Sequence, residues 1–425
     1  MRAQKRTCTI QVTLGLILLG ISASAATLCV NPGGTRGCSA TISAAVAAAT
    51  SNDTITVAKG SYHEAVVIDK PLSLIGSGDE KTIIDATGLP NGINVDGHNH
   101  GALSHVSVTG FTVQNANFEG ILLTDSSYIT VANNHVTAND RSLSVAGGAP
   151  TCPGLPAYFI DFQGFDCGEG IHLSGVAHST IANNLVENNA GGILVSDDTG
   201  PSHDNLISAN TVRNNPLDCG LTIASHLVIP GLPQQPLRGI YHNTIVGNTA
   251  SANGLTSGEG AGVGLFTAAP GGQNWGNVVI GNTLTGNALP GVAMHSHAPF
   301  QNLNDNLIVG NQISGNGPDS DPGVTVPTGI DVFADEANGA SPITGTVITQ
   351  NTFKAEGIDI AVATTGGVTA RFNSFFGPVG IANLAAGSVD ATLNWWKCSG
   401  GPDANGCSSV TGSGVLTTPW LTKPF

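Results

Sequence analysis

Charge is scarce in this chain. Only 10% of its 425 residues are Asp, Glu, Lys or Arg, and Lys plus Arg number 14 against 29 acidic residues. So few cations leave no basic face to grip a nucleic acid or an anionic bilayer. The same shortage weighs against a polyanionic sugar, whose carboxylates call for Arg and Lys clamps or bound cations. Long apolar runs are lacking too. The longest, Ile10 to Ile21, falls short of the roughly 20 residues that span a bilayer, so stable membrane insertion is not expected. What the chain does have is 57 glycines, abundant Asn and Thr, and a mean hydropathy of +0.14. That composition describes short strands and tight turns, neither disorder nor helix.

Arg2, Lys5 and Arg6 precede the apolar run, and Ala23-Ser24-Ala25 follows it, which reads as a signal peptide over residues 1–25 cleaved after Ala25. The expected location is therefore outside the cytoplasm, secreted or periplasmic. Leu28 stands where a lipoprotein signal wants a small residue, so Cys29 is not expected to carry a lipid. The leader takes away three positive charges and no negative ones, moving the formal net charge from −15 to −18. Seven cysteines remain, six in close pairs: Cys29 with Cys38, Cys152 with Cys167, and Cys398 with Cys407. In an oxidising compartment these spacings suit disulfides; Cys219 is left over, as a small packed side chain or a functional thiol.

Composition is uniform enough after the leader for one domain over residues 26–425. Thr41 to Ala49 has a helical pattern suited to plugging the end of a core. Strand-like segments follow at Thr54–Val57, Val66–Ile68, Leu72–Ile75 and Thr82–Ile84. Two signatures then recur. Asn-x-apolar appears at Asn134, Asn184, Asn210, Asn248, Asn282, Asn311, Asn351 and Asn373, and the first six have a second Asn five residues on. Gly-apolar-x-apolar starts at Gly120, Gly170, Gly192, Gly220, Gly262, Gly291, Gly329 and Gly357. Units with alternating apolar residues cannot bury their inward face alone, so stacking into a solenoid is required. Asn at a fixed corner predicts hydrogen bonds to the neighbouring coil, with Gly supplying positive φ. Residues 141–168 read as an inserted loop bearing Tyr158, Phe159, Phe162 and Phe165, and 394–425 as a C-terminal cap.

Thr41-Ile42-Ser43-Ala44-Ala45, Gly60-Ser61-Tyr62 and Ile68-Asp69-Lys70-Pro71-Leu72 resemble the opening of proteins with parallel β-helix repeats in the NosD-like, carbohydrate-binding and sugar-hydrolase group. Asn394-Trp395-Trp396 with Gly400-Gly401-Pro402 resembles the Asn-Trp-Trp-Gly ending of that group, with Lys397 in place of the Gly. The resemblance implies an all-β fold, a right-handed parallel β-helix with a short N-terminal capping helix, of the pectate-lyase-like type. For function it implies less, because the group spans glycan lyases, hydrolases, epimerases and proteins without known catalysis.

Aligned on the Gly signature, polar residues collect at comparable points. Two residues on stand His172, Thr222, Asp331 and Asp359; four on, His295; five or six on, Asp125, Asp197, Asp198, His226, His297 and Asp335. Alternation turns these positions outward, so a surface groove lined by Asp and His is expected. With coils about 4.8 Å apart, Asp198 and His226 are near neighbours and His297 lies two coils on. Glu169, and Asp218 beside Cys219, stand just ahead of the same strands. The expected catalytic set is Asp197, Asp198, Asp218, Glu169 and His226, acting as general acid and base, with His172, His295, His297, Asp331 and Arg213 contacting substrate. The ordinary alternatives are a self-satisfying turn at Asp197-Asp198 and solvent-facing histidines.

The favoured reading is a glycoside hydrolase acting on a polysaccharide or oligosaccharide. A polysaccharide lyase stands second, weakened because Arg213 is the sole nearby cation. A non-catalytic glycan- or metal-binding protein stands third. No cofactor is required, but His295 and His297 with His226, Asp198 or Cys219 leave a transition metal open. Acidic turns such as Asp319-Ser320-Asp321, otherwise read as a solvated insertion, leave Ca2+ open.

Overall fold

A computed structural model describes residues 25–101, 103–139, 168–226 and 238–425. The leader up to Ser24, the Cys152–Cys167 pairing and the aromatic part of the inserted loop lie outside them. The described chain winds through three parallel sheets of 14, 12 and 16 strands, here A, B and C. Successive strands of a coil mostly go to different sheets, so a strand usually pairs with one from the neighbouring coil and not with its sequence neighbour; Thr27–Val30 with Asp53–Val57 is an exception.

In sheets A and B most strands are three residues long with only the middle one inward. Val131, Ile181, Ile207, Ile245, Val279 and Ile308 stack in register along sheet A, all fully buried. Val136, Val186, Val212, Ala250, Leu284 and Ile313 do the same along sheet B. β-Branched side chains suit a pleated surface, and each large one buried here contributes about 1.5–3 kcal/mol. The expected helix forms at Ile42–Ala48, N-capped by Thr41 and burying Ile42, Ala45 and Val46 against the first strands.

The corners carry asparagine ladders. Asn184 Oδ1 accepts from the backbone N–H and the Nδ2 of Asn134, at 3.0 and 3.1 Å, while its own Nδ2 donates to Val131 O and Asn210 Oδ1. This repeats from coil to coil as far as Asn394, and the Asn five residues on forms a second ladder from Asn139 to Asn316. Asn205, Asn243, Asn277 and Asn306 make a third, each five residues before an Asn of the first ladder.

The signature glycines correct the expectation about φ. Gly120, Gly170, Gly192, Gly220, Gly262, Gly291, Gly329 and Gly357 all lie outside the positive-φ region. Their role is close approach: a Cβ on Gly220 would stand 2.8 Å from Asn253 Nδ2 and 3.0 Å from Gly262 O. Positive φ falls instead to the residue before each ladder Asn, such as Asn133, Asn183 and Gly281.

At the C-terminal end Trp396 is fully buried against Phe375, and Ser409–Thr411 and Val415–Leu416 add last strands to sheets C and A. Disulfides join Cys29 to Cys38 and Cys398 to Cys407. Among the described residues no helix is long and apolar enough to cross a membrane.

Candidate functional site

Sheet C holds the longest strands, up to nine residues at Glu119–Ser127 and Glu169–Ala177, and two outward rows run along it. One row runs Leu122, His172, Leu194, Thr222, Gly264, Ala293, Asp331, Ala361. The next runs Thr124, Ser174, Ser196, Ala224, Phe266, His295, Phe333, Ala363 in the same register. Along these rows the polar groups gather in two clusters.

The first is a hydrogen-bonded chain across four coils. Glu119 Oε1 lies 3.1 Å from His172 Nδ1, His172 Nε2 lies 2.9 Å from Ser196 Oγ, and Ser196 Oγ donates to Asp198. Asp198 in turn faces His226 Nδ1 with both carboxylate oxygens at 3.0 Å. Burial alone would raise the Asp198 carboxyl, but His226, His172 and Ser196 outweigh it and hold it down at about 2. Its neighbour Asp197 is pushed up by burial and by the Asp198 charge. The Asp197 carboxylate is committed to scaffolding, accepting from Ser225 Oγ, His226 N and Gly239 N at 2.9 to 3.0 Å.

The second cluster centres on His295, whose ring is held edge-on between Phe266 and Phe333. Its Nε2 lies 3.0 Å from Asp331 Oδ2 and 3.1 Å from Asp319 Oδ2, and its Nδ1 lies 3.4 Å from Asp321 Oδ2. His297 Nε2 stands 3.5 Å from the same Asp321 oxygen. Burial disfavours the His295 imidazolium, yet Asp331, Asp319 and Asp321 overcome it and keep the ring protonated well above the usual range. Burial pushes Asp331 up to about 7. His297 is shifted the other way, down, by burial and by the charge on His295, and so stays neutral at pH 7.

A pocket of about 560 Å³ opens over this cluster. Thr222, Ala224, Phe266 and Leu289 line it alongside Asp218, Glu259, His295, His297, Asp319 and Asp321. Partial burial at the rim, then the charges of Asp321 and Asp319, raise the Glu259 carboxyl, while His295 draws Asp319 and Asp321 down against their burial. The pocket therefore holds proton donors and proton acceptors side by side. His295 with Asp319 and Asp331, and His295 with His297 and Asp321, each bring three ligand atoms within 4.8 Å of one another, a donor set that could hold a divalent cation.

The expected residues divide accordingly. Asp198, His226 and His172 come together in the first cluster, and His295, His297 and Asp331 in the second, two coils on; Asp218 lines the pocket. The outward positions do not make an open groove, because His172, Asp331, Asp198 and His226 are buried. Arg213 is a correction: it lies on sheet B, its Nε donating to Glu187 at 2.7 Å, and not on the face that carries the two clusters. Asp359 is another, since its strand is shifted so that Ala361, not Asp359, pairs with Asp331. Glu169 is buried with its carboxylate over Gly191, where a Cβ would collide with it. Cys219 is packed with Ala261 and Ala293, and burial pushes its thiol well up, which fits a packing role over a reactive one. In the Asp319-Ser320-Asp321 turn Ser320 and Asp321 are exposed, as a solvated insertion would have them, but Asp319 is 2% exposed and folds over His295. Glu119 and Glu259 are site residues outside the expected set; the signal for Glu119 is its place before Gly120, which matches that of Glu169 before Gly170.

A family model for the right handed beta helix region matches residues 78–302. No curated protein matches the chain. Among solved structures, the A-module of the Azotobacter vinelandii mannuronan C-5 epimerase AlgE6 is similar with a TM-score of 0.61 and 13% identity, covering 90% of this chain and 94% of the module. ORF18 of Geobacillus virus E2 gives 0.52 and 13%, covering 76% of this chain and 56% of that one. The catalytic unit of the GH87 alpha-1,3-glucanase of Streptomyces thermodiastaticus gives 0.50 and 16%, covering 89% and 65%. The chain thus spans just over half of the viral protein and just under two thirds of the glucanase unit. Identities this low speak for the fold alone. The family match takes in more than half of the chain and agrees with the three parallel ladders. The chain belongs to the right-handed β-helix family.

Proposed function

We propose that the protein is a carbohydrate-active enzyme that cleaves a polysaccharide in the pocket beside His295, and that it does so by hydrolysis. One observation carries the reading: the pocket is walled by Asp218, Glu259, Asp319 and Asp321 with two histidines, and no Lys or Arg stands among its described lining residues. A uronate would meet a net acidic wall there, with His295 already paired to Asp319, Asp321 and Asp331, whereas a neutral sugar meets hydrogen-bond acceptors and an apolar floor. Glu259, raised, is the proton donor of this reading, and Asp321 beside neutral His297 draws the proton from water. Asp198 and His226 adjoin the pocket through Ala224, which pairs with Ser196, and act as a buried positioning pair. Two proteins of the same fold carry names that point to mannuronan and to alpha-1,3-glucan. The leader pattern and the two disulfides support an exported enzyme.

A second reading rests on the His295, Asp319 and Asp331 ligand set. A cation there would supply the positive charge that a uronate needs, and elimination would replace hydrolysis. Purified protein incubated with neutral and uronic-acid glycans, with and without a chelator, separates the two. Hydrolysis predicts new reducing ends from a neutral glycan without near-ultraviolet absorbance, and a fall in kcat of about 10²-fold or more in Glu259→Gln and Asp321→Asn. Chelator-sensitive absorbance from a uronic-acid glycan would favour elimination. Silence across the panel would sink both.

A further inference from the structure

Away from the pocket, one corner of the solenoid has an unusual composition. Where sheet C turns into sheet A, successive coils place His105, Tyr128, His178, Asp204 and His242 in the left-handed region, with φ between 52° and 59°. Glycine occupies that conformation without strain, and Asn more cheaply than His. The other corners use them freely, as at Asn133, Asn183, Gly247, Gly281 and Gly310. Burial does not explain the choice, because His178 is exposed and the side chains of Asp204 and His242 are 41% and 50% exposed, although His105, Tyr128 and His178 stack on one another along the corner.

The donors converge. One ligand atom each from His178, His203 and Asp204 lies within 4.8 Å of the others. His203 Nδ1 stands 2.8 Å from Asp204 Oδ2, and His242 Nδ1 stands 3.9 Å from Asp204 Oδ1, so Asp204 is central to imidazoles from three consecutive coils. The His203 ring is already oriented: it stacks on Tyr241 at 4.8 Å and 1°, Tyr241 stacks on Trp275, and His178 meets His203 edge-on. Three nitrogens and one carboxylate oxygen form the donor set of a borderline divalent transition ion, and not of Ca2+ or Mg2+, which prefer oxygen ligands. Small rotations of exposed side chains close such a set onto metal bonds of about 2 Å.

We infer that His178, His203 and Asp204, with His242 as fourth ligand, form a surface site for a divalent transition-metal ion of the zinc type that pins three consecutive coils together. The site shares no residue with the pocket, and its ion is structural.

The test uses untagged protein stripped with EDTA, in a His297→Gln, Asp319→Asn background that takes one ligand from each of the pocket's own sets and leaves His295 in place. Calorimetric titration with zinc chloride is expected to show one bound equivalent and a zinc-dependent rise in Tm. In Cu2+-loaded protein, electron paramagnetic resonance is expected to show nitrogen hyperfine structure. His178→Gln, an exposed change that leaves folding intact, should weaken zinc binding at least tenfold. His203→Gln should abolish it together with the nitrogen signal and the Tm rise. No zinc bound by the parent, or equal affinity and stoichiometry in both variants, would overturn the proposal.

Discussion

Asp331 and Asp319 compete for one nitrogen: their Oδ2 atoms lie 3.0 and 3.1 Å from His295 Nε2. A single N–H cannot serve both acceptors fully, so one carboxyl is better off carrying its own proton. Asp331, the more deeply buried and pushed up to about 7, is that group. Removing the cation between them should be severe. His295→Gln leaves two buried carboxyls without their counter-charge and is expected to lower stability by roughly 3–5 kcal/mol. His295→Gln combined with Asp331→Asn should recover part of that loss, as read by a double-mutant cycle in denaturant. Additive losses would mean that the pair is not coupled.

The same carboxyl predicts a pH dependence of turnover. Asp331 acts on the pocket through His295, 3.0 Å away, so with Asp331 near half-protonation at about pH 7 the rate should have a limb there, and Asp331→Asn, fixed in the uncharged form, should remove that limb while leaving KM within a few-fold. A limb unchanged in the variant would assign it to another group.

Asp198 behaves in the opposite sense. Folding depresses its carboxyl from an ordinary 3.8 to about 2, so the folded chain releases the proton more readily than the unfolded one. The stabilisation is complete above about pH 4 and disappears as pH falls through about 2. At pH 7 Asp198→Asn should cost roughly 2 kcal/mol, and the difference from the parent should shrink toward pH 2. Urea titrations at pH 7 and pH 3 check it; a constant difference would rule the linkage out.

How far the sequence carried this picture depended on whether the signal was local. Asn184 and Asn210 announced their ladder because each sits at a fixed offset before an apolar residue. Asp198 and His226 could be paired by counting coils, since pairing in a parallel ladder preserves register. Arg213 could not be placed this way: it is near Asp218 in sequence, but a corner intervenes and sends the two to different faces. Asp319 and Glu259 were illegible for a related reason. They sit in loops between strands, where neither signature fixes position, and only the folded chain shows that these loops turn back over His295. The corner residues Asp204 and His242 stand one residue ahead of the ladder residues Asn205 and Asn243, and His178 one ahead of Ser179, which bonds to that ladder; nothing in the repeats marks these preceding positions as donors.

The ladders themselves are testable at Asn248. Its Oδ1 accepts from the backbone N–H and Nδ2 of Asn210, and its Nδ2 donates to Ile207 O and Asn282 Oδ1, with every atom buried. Asn248→Ala strips partners from a backbone donor and a carbonyl at once, so the cost is expected at roughly 2–4 kcal/mol, well above a surface change. Asn248→Asp keeps the acceptor but buries a charge and lacks the donor, and should be no better than Ala at pH 7. Denaturation midpoints measure both; a loss under about 0.5 kcal/mol would show that the ladder is decorative.

The second ladder ends on a different residue. Where the repeat would continue with Asn, Glu356 Oε1 accepts from the backbone N–H and Nδ2 of Asn316, at 3.3 and 3.2 Å. Burial raises this carboxyl from 4.5 to about 7, against the two bonds that favour its ionised form. Folded chains therefore bind more protons than unfolded ones between those values. Stability is complete below about pH 4.5 and is lost progressively as pH rises through about 7. Glu356→Gln keeps a carbonyl acceptor for Asn316 and carries no charge, so it should match the parent at pH 4.5 and exceed it by roughly 1–3 kcal/mol at pH 8.5. Unfolding free energies at the two pH values decide the matter. A variant less stable than the parent at pH 8.5 would mean that the charge itself holds the end of the ladder.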